Sequence, residues 1–294
     1  MIDLTPWYYR NLLKDSVLIS KSAYYKSIQI NGEILFESVI SLNQNLIPAW
    51  VSISTIYSSS DGSGTSPFQN IAVYKAISEA LERWAFYGTA DSLEAATYCF
   101  DVNPSTTGMA AYPGFTARNA RKNAILEASE RWALHEFWRG NLPIKEHESK
   151  IKNLKHFEII TDFQDVRVSL VCYKSENYYL YAFAADKSLN KSFGHALVEL
   201  ARNIRVMKKF SETNKHYTEL EDISDKRLVF FANSEGHEMF MQKILGAPST
   251  ILVKPQVICD KEIKGPWSQY TRVWRYLYAN SFPDSETDHT FFMF

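Results

Sequence analysis

Residues 76–85 read AISEALERWA and residues 124–133 read AILEASERWA, one ten-residue phrase written twice, 48 positions apart. The copies differ only at 78/126 and 81/129, and a looser third version stands at 196–202 as ALVELAR. Ahead of and through the first copy, Ile71, Ala72, Ala76, Ala80 and Trp84 recur at three- and four-residue spacing. That is the period of a helix with one packed face. A repeat of this kind outranks local propensity when a fold is read, so three related helices are the frame on which the other segments are placed.

Glu79 and Glu82 are three residues apart and share one side of the first helix. Glu127 and Glu130 repeat them on the second, and Glu199 takes the corresponding place on the third. Arg83 and Arg131 each follow a glutamate pair. Two readings of this pattern are open. The acids suit a solvated helix face with ion pairs to arginine four residues on. They equally suit a helix junction, because the small residues flanking them let backbones approach. Several carboxylates at a junction repel and titrate together. A hard cation such as Mg2+, which takes oxygen ligands and keeps waters and phosphates, relieves that repulsion. The second reading therefore points to a nucleotide held through Mg2+, with arginines meeting phosphate oxygens.

With 294 residues, 46% hydrophobic and 22% charged, the chain is long enough for one large domain or two fused lobes. A net charge of -1 gives no global field for nucleic acid or for a membrane. Cys99, Cys172 and Cys259 have neither metal-ligand spacing nor a disulfide pattern. There is no signal-peptide start and no run long enough to span a bilayer, which leads to a cytoplasmic expectation. GxxxxGK[ST] and GxGxxG are both absent.

The elements follow in order. A short helical or irregular lead-in covers 1–24, and KSIQING and EILFESVISL are strands joined at Asn31-Gly32. WVSISTIYS (50–58) alternates as a strand does and runs into SSSDGSGTSP (58–67), a flexible loop. Its backbone N–H groups suit phosphate. Ser66, Pro67 and Gln69 make a capping box for helix one, over about 67 to 87 and ending near Gly88. TYCFDV (97–102) is a strand, followed by a turn over 103–114. Helix two spans about 116 to 138, with Gly140 as its stop. FEIITD, VRVSLVCYK and NYYLYAFAA are strands, while KEHESKIKNLKH (145–156) is a solvated connector. Helix three covers about 192–210, DKRLVFFAN is a strand and 235–247 a short helix. STILVKPQVICD and YTRVWRYLYAN are the last strands. The whole is α/β, with mixed or antiparallel sheets packed against helices.

DGSG at 61–64, KAISEALER at 75–83, EASER at 127–131 and ALVELAR at 196–202 together resemble the YcaO family of ATP-dependent peptide-backbone-activating enzymes. The family pattern is a Gly/Ser loop, an S-x-x-x-E-x-x-E-R helix, a second E-x-x-E-R helix and a later A-L-x-E-x-x-Q helix. The resemblance implies a YcaO-like fold, in which the repeated acid-bearing helices surround a central nucleotide site. It implies a lead-in with first strands over 1–49, an ATP-binding catalytic domain over 50–280 and a tail over 281–294. It assigns Glu79, Glu82, Glu127, Glu130 and Glu199 to Mg2+, with Glu82, Glu130 and Arg131 acting in catalysis. Ser63, Lys75, Arg83, Arg202 and Arg272 or Arg275 are its nucleotide-side residues.

The activity so implied is ATP- and Mg2+-dependent activation of a backbone amide in a ribosomally made precursor peptide. A Cys, Ser or Thr nucleophile yields an azoline, sulfide a thioamide and an amine an amidine. The implied partners are that precursor and a separate leader-binding or E1-like protein, with a homo-oligomer also compatible; nucleic acid and membrane are not among them. Two positions depart from the pattern: Lys75 stands where the family has Ser, and Arg202 where it has Gln. The ending DHTFFMF also replaces the Pro-rich tail of many azoline-forming members. These departures support the alternative of a non-catalytic or regulatory subunit that scaffolds a partner enzyme. Of the remaining residues, Trp84 and Trp132 are read as core, Cys172 as buried packing and His195 as structural or surface. The terminal FFMF is either a docking strip or a part of the protein's own core.

Overall fold

The computed structural model describes residues 5–43, 61–112, 117–213, 216–246, 254–280 and 288–292. The expected strand at 50–58 lies outside the described residues. The chain divides into two compact units, Met1–Ala128 with Val257–Tyr278, and Ser129–Gln256 with Ala279–Phe294. The described sheets are all antiparallel. No described helix is long and apolar enough to cross a membrane.

The first unit opens with α1 (Thr5–Lys14), followed by β1 (Ile19–Ile28), β2 (Ile34–Leu42) and β3 (Asp61–Ser66), in sheet order β1-β2-β3. The β1–β2 turn is the expected one: Gly32 takes φ 85°, and the Asn31 side chain accepts from Glu33 N–H. DGSG is not a loop. It is β3, paired to β2 from Phe36↔Ser66 to Ser41↔Asp61. Its glycines let the strand lie directly against helix α2 (Gln69–Ala90). A Cβ on Gly62 would sit 2.0 Å from Ala76 O, and one on Gly64 2.1 Å from Ala72 O. The glycines thus serve close strand–helix approach rather than flexibility.

Because Ser66 is held in the sheet, the helix begins later than the capping box implied. Phe68 is the N-cap, and Ser66 Oγ only accepts from its N–H. Nor does α2 stop at Gly88. There a side chain would collide with the Trp267 ring, 2.5 Å from the added Cβ, and the helix continues to Ala90. TYCFDV is not a strand either; a 3-10 turn (Ala95–Tyr98) ends at Cys99, whose φ is 57°.

A second sheet in this unit has the order β4-β10-β9, from β4 (Met109–Tyr112), β9 (Val257–Ile263) and β10 (Arg272–Tyr278). Gly108, at φ 70°, brings its backbone against Tyr276, whose N–H it accepts at 2.8 Å. The unit's core gathers Ile40, Ile77, Leu81, Trp84, Met109 and Val273 from both sheets and α2.

Helix α3 (Ala117–Trp138) matches the expected second helix, and from Ser129 onward it belongs to the second unit. That unit's sheet runs β5-β6-β7-β8 through β5 (Ile144–His147), β6 (Leu154–Ile159), β7 (Arg167–Lys174) and β8 (Tyr179–Asp186). The expected solvated connector therefore holds β5 and the start of β6, and it buries Leu154 and His156. Helices α4 (Leu189–Thr213), α5 (Ile223–Ala232) and α6 (Ser234–Leu245) follow. DKRLVFFAN is helix α5, not a strand. Asp222 caps it, accepting from Ser224 and Asp225 N–H at 2.8 and 3.0 Å. Phe291 and Phe292 are buried, and Phe292 packs its ring on Trp138, Tyr181, Phe231 and Phe240. Of the two expectations for FFMF, its first two rings therefore take the core.

Candidate functional site

Within the first unit, Ser63, Glu79 and Arg83 form one connected group. Glu79 Oε2 accepts from Ser63 N–H at 2.5 Å and from Ser63 Oγ at 3.1 Å, while Oε1 pairs with Arg83 at 2.9 Å. Arg83 also donates to Asp61 O. The strand brought close by Gly62 and Gly64 thus fixes the first glutamate of the repeat. One turn on, Glu82 is pushed well above the ordinary carboxylate range, chiefly by burial and then by Glu127 and Glu79. Arg83 and a hydrogen bond from the Ala111 backbone oppose the rise. Ala111 lies on β4, which is an edge of its sheet among the described residues.

The second unit repeats this chemistry with the second copy of the phrase. Glu130, the counterpart of Glu82, is raised by burial to about 7. Arg131 and the Ala185 backbone oppose the rise, and Glu199 adds to it. Ala185 N–H donates to Glu130 at 3.0 Å from β8, again an edge strand. Edge strands leave backbone N–H groups outside the ladder, and in both units the second glutamate of the phrase takes one. Arg131 Nε stands 3.8 Å from Glu130, and its guanidinium lies 5.3 Å from the Phe183 ring centre. Glu199, on α4, accepts from Arg202 at 2.9 Å.

In each unit, then, a half-buried glutamate meets an edge-strand amide and lies within electrostatic reach of an arginine of its own helix and a glutamate of the next helix. The backbone donors Ala111 and Ala185 escaped sequence reasoning, since any residue supplies an N–H. Only the short apolar runs around them, MAAY and YAFAA, carried a signal.

The remaining nucleotide-side residues are placed as follows. Lys75 Nζ reaches Thr65 O at 3.2 Å. Arg272 pairs with Glu262 at 3.1 Å. Arg275 is fully buried and gives both terminal nitrogens to backbone, Ser105 O and Asn103 O, each at 2.7 Å. Its guanidinium lies 3.9 Å from the Phe100 ring centre. Burial pulls its pKa down to about 10, partly offset by Cys259, Cys99 and Glu127. Trp84, Trp132 and Cys172 are buried as expected. His195 is a surface residue paired with Asp186 at 3.5 Å.

No protein-family model and no curated protein sequence matches the chain. Solved structures do. The structure of YcaO from Methanopyrus kandleri bound with AMPPCP and Mg2+ is 14% identical with a TM-score of 0.53, over 93% of this chain and 89% of that one. The E. coli microcin synthetase McbBCD complex matches at 12% identity and a TM-score of 0.55, over 88% of this chain and 87% of that one. The same complex with pro-MccB17 bound gives the same values. The helices that carry the repeated acids and the antiparallel sheets beneath them therefore make up a YcaO-like fold.

Proposed function

We propose that this chain binds ATP through Mg2+ and uses it to activate a backbone amide in a ribosomally synthesised precursor peptide. The observation that carries the reading is the carboxylate arrangement made twice: Glu82 with Glu127 and Glu79, and Glu130 with Glu199. Desolvated acids that repel one another destabilise the fold by themselves, and a hard cation offsets that cost. Among the described residues no three acidic, His or Cys side chains converge as a metal cage. Carboxylate pairs suit Mg2+, which takes one or two protein oxygens and fills its shell with water and phosphate. In the first unit Glu82 and Glu127 would hold one ion, with Glu79, already bonded to Ser63 and Arg83, adding negative charge beside them; in the second unit Glu130 and Glu199 would hold another. Bound there, each ion neutralises triphosphate charge.

Arg83 and Arg131 keep the carboxylates oriented and offset charge as phosphoryl transfer proceeds. A nucleophile would add to the peptide carbonyl, the resulting oxyanion would attack the γ-phosphorus with ADP as the leaving group, and phosphate would then depart with the former carbonyl oxygen as the adduct loses a proton to form the new double bond. A Cys, Ser or Thr side chain of the peptide gives an azoline, while external sulfide or amine gives a thioamide or amidine. The structural similarity to a microcin synthetase complex solved with pro-MccB17 supports a peptide substrate and partner proteins, and we take a leader-binding or E1-like protein as the partner.

The test is calorimetric titration of a non-hydrolysable ATP analogue with Mg2+ into wild type, Glu82→Gln and Glu130→Gln, each checked for folding by circular dichroism. We expect binding in the wild type and at least a tenfold loss in each variant. A wild type that binds nothing, with or without its partner, overturns the proposal. With precursor and partner added, mass spectrometry separates loss of water from exchange of oxygen for sulfur.

The Arg202–Glu199 pair at 2.9 Å favours a second reading, a scaffolding subunit with a charge-neutralised third helix. That reading expects nucleotide binding to rise in Arg202→Gln.

A further inference from the structure

We propose that Cys99 and Cys259 form a redox-responsive dithiol that closes to a disulfide by exchange with a low-molecular-weight disulfide such as oxidised glutathione. Both residues belong to the first unit, Cys99 at the end of the 95–98 turn and Cys259 within β9. The two segments run past each other in fixed register. Cys99 Sγ lies 3.6 Å from Ile258 O, and Cys259 Sγ lies 3.8 Å from Tyr98 O. Each thiol therefore meets the carbonyl just before the other cysteine, and Lys261 Nζ extends the series by donating to Thr97 O at 3.0 Å. Cys99 holds a left-handed φ of 57°, uncommon for a side-chain-bearing residue, so its direction is set by the turn.

The pair is asymmetric in a way that orders the exchange. Cys99 is half-buried, whereas Cys259 is 2% exposed. Burial pushes the Cys259 thiol up to about 12, with Arg275 and Lys261 opposing the rise, so Cys99, the more accessible of the two, is the sulfur that meets a small disulfide first. Cys99, as thiolate, attacks one sulfur of the small disulfide RSSR. A Cys99–S–S–R bond forms and RS⁻ leaves, taking up a proton as RSH. Cys259 then loses its proton and attacks the Cys99 sulfur, expelling the second RS⁻, which becomes RSH. The protein is oxidised by two electrons, and one RSSR is reduced to two RSH. Cys172, buried in the other unit, takes no part.

The test is to incubate the full chain in defined ratios of oxidised to reduced glutathione, alkylate the remaining thiols and measure intact mass and peptide map. We expect two of the three thiols to disappear together, a Cys99–Cys259 cross-linked peptide, and full reversal by dithiothreitol. Cys259→Ser is expected to trap glutathione on Cys99. Should that variant not fold, Cys99→Ser, altered at the more exposed position, is expected to stay reduced with two free thiols. Three alkylated thiols in the fully oxidising buffer overturn the proposal, as does glutathione retained on wild-type Cys99 or a cross-link in Cys99→Ser.

Discussion

Glu82 and Glu130 are held where a free carboxylate would not choose to be, and the consequence can be read at a single residue. Glu130 has a folded pKa of about 7 against an ordinary value of 4.5. Between those values the folded chain keeps a proton that the unfolded chain releases, so stability falls as pH rises from 4.5 to 7. Glu130→Gln removes this loss. Urea unfolding at pH 8 is expected to show the variant more stable by up to about 3 kcal/mol, the free energy of a shift of this size. The gain should shrink as pH falls and vanish below pH 4.5, and the variant should also lose Mg2+-nucleotide binding. Much of this residue-level chemistry is legible in the sequence, because two near-identical ER phrases mark the acids and their arginines. What cannot be read there is the depth of burial, or that main-chain N–H groups of Ala111 and Ala185 meet the carboxylates. Backbone donors leave no letter.

Among the elements, the pairing of β3 with α2 depends on two hydrogen atoms. Gly64→Ala would place a methyl 2.1 Å from Ala72 O and 2.6 Å from Ala76 N, and neither backbone atom can move without displacing the helix. We expect a destabilisation of about 3 kcal/mol or more in urea unfolding, at the upper end of overpacking. At α5 the expected effect is smaller. Asp222→Ala removes the cap and should cost about 1 kcal/mol by the same measurement. The helices of the repeat are legible from their period, and so are β7, β8 and the second half of β6 from their branched and aromatic runs. The errors share one cause. DGSG and LVFF are locally ambiguous, and long-range contacts decide them: a sheet partner turns the first into a strand, whereas Asp222 and the packing of Phe230 and Phe231 turn the second into a helix. The Asp222/Asp225 spacing was the cue to the latter.

The behaviour of the molecule in acid depends on a buried polar chain in the second unit. His156 Nε2 meets Ser169 Oγ at 3.0 Å, and Ser169 meets Ser192 at 2.7 Å. On its other side the His147 ring lies 5.3 Å away, and His147 bonds Glu158 at 3.0 Å. Burial, and then His147, lower the His156 pKa to about 4. The unfolded chain takes up this proton below 6.5 and the folded chain only near 4, so stability is lost as pH falls through that window, by up to about 3 kcal/mol. Glu130 shifts stability in the opposite direction there. The effect should therefore be read as the difference in urea midpoint between wild type and His156→Gln, which is expected to narrow from pH 7 to pH 4.5. At the same scale, Phe292→Ala should destabilise the second unit by about 3–5 kcal/mol, because four rings lose their common partner.

The sheet order β4-β10-β9 also bears on the order in which the chain is made. β10 is the middle strand, yet it is synthesised last of the three, long after β4 has left the ribosome. Until residues 272–278 emerge, Met109–Tyr112 lacks its β10 partner and the carbonyls of Asn103 and Ser105 lack Arg275. The amide that Glu82 accepts from is not yet held in a ladder. Every residue of the second unit's sheet precedes β10, so that unit can assemble its sheet while the first waits as an unfinished nascent chain. The amino-terminal half is thus the later of the two to mature, and during translation it is the part in need of protection from misfolding and proteolysis.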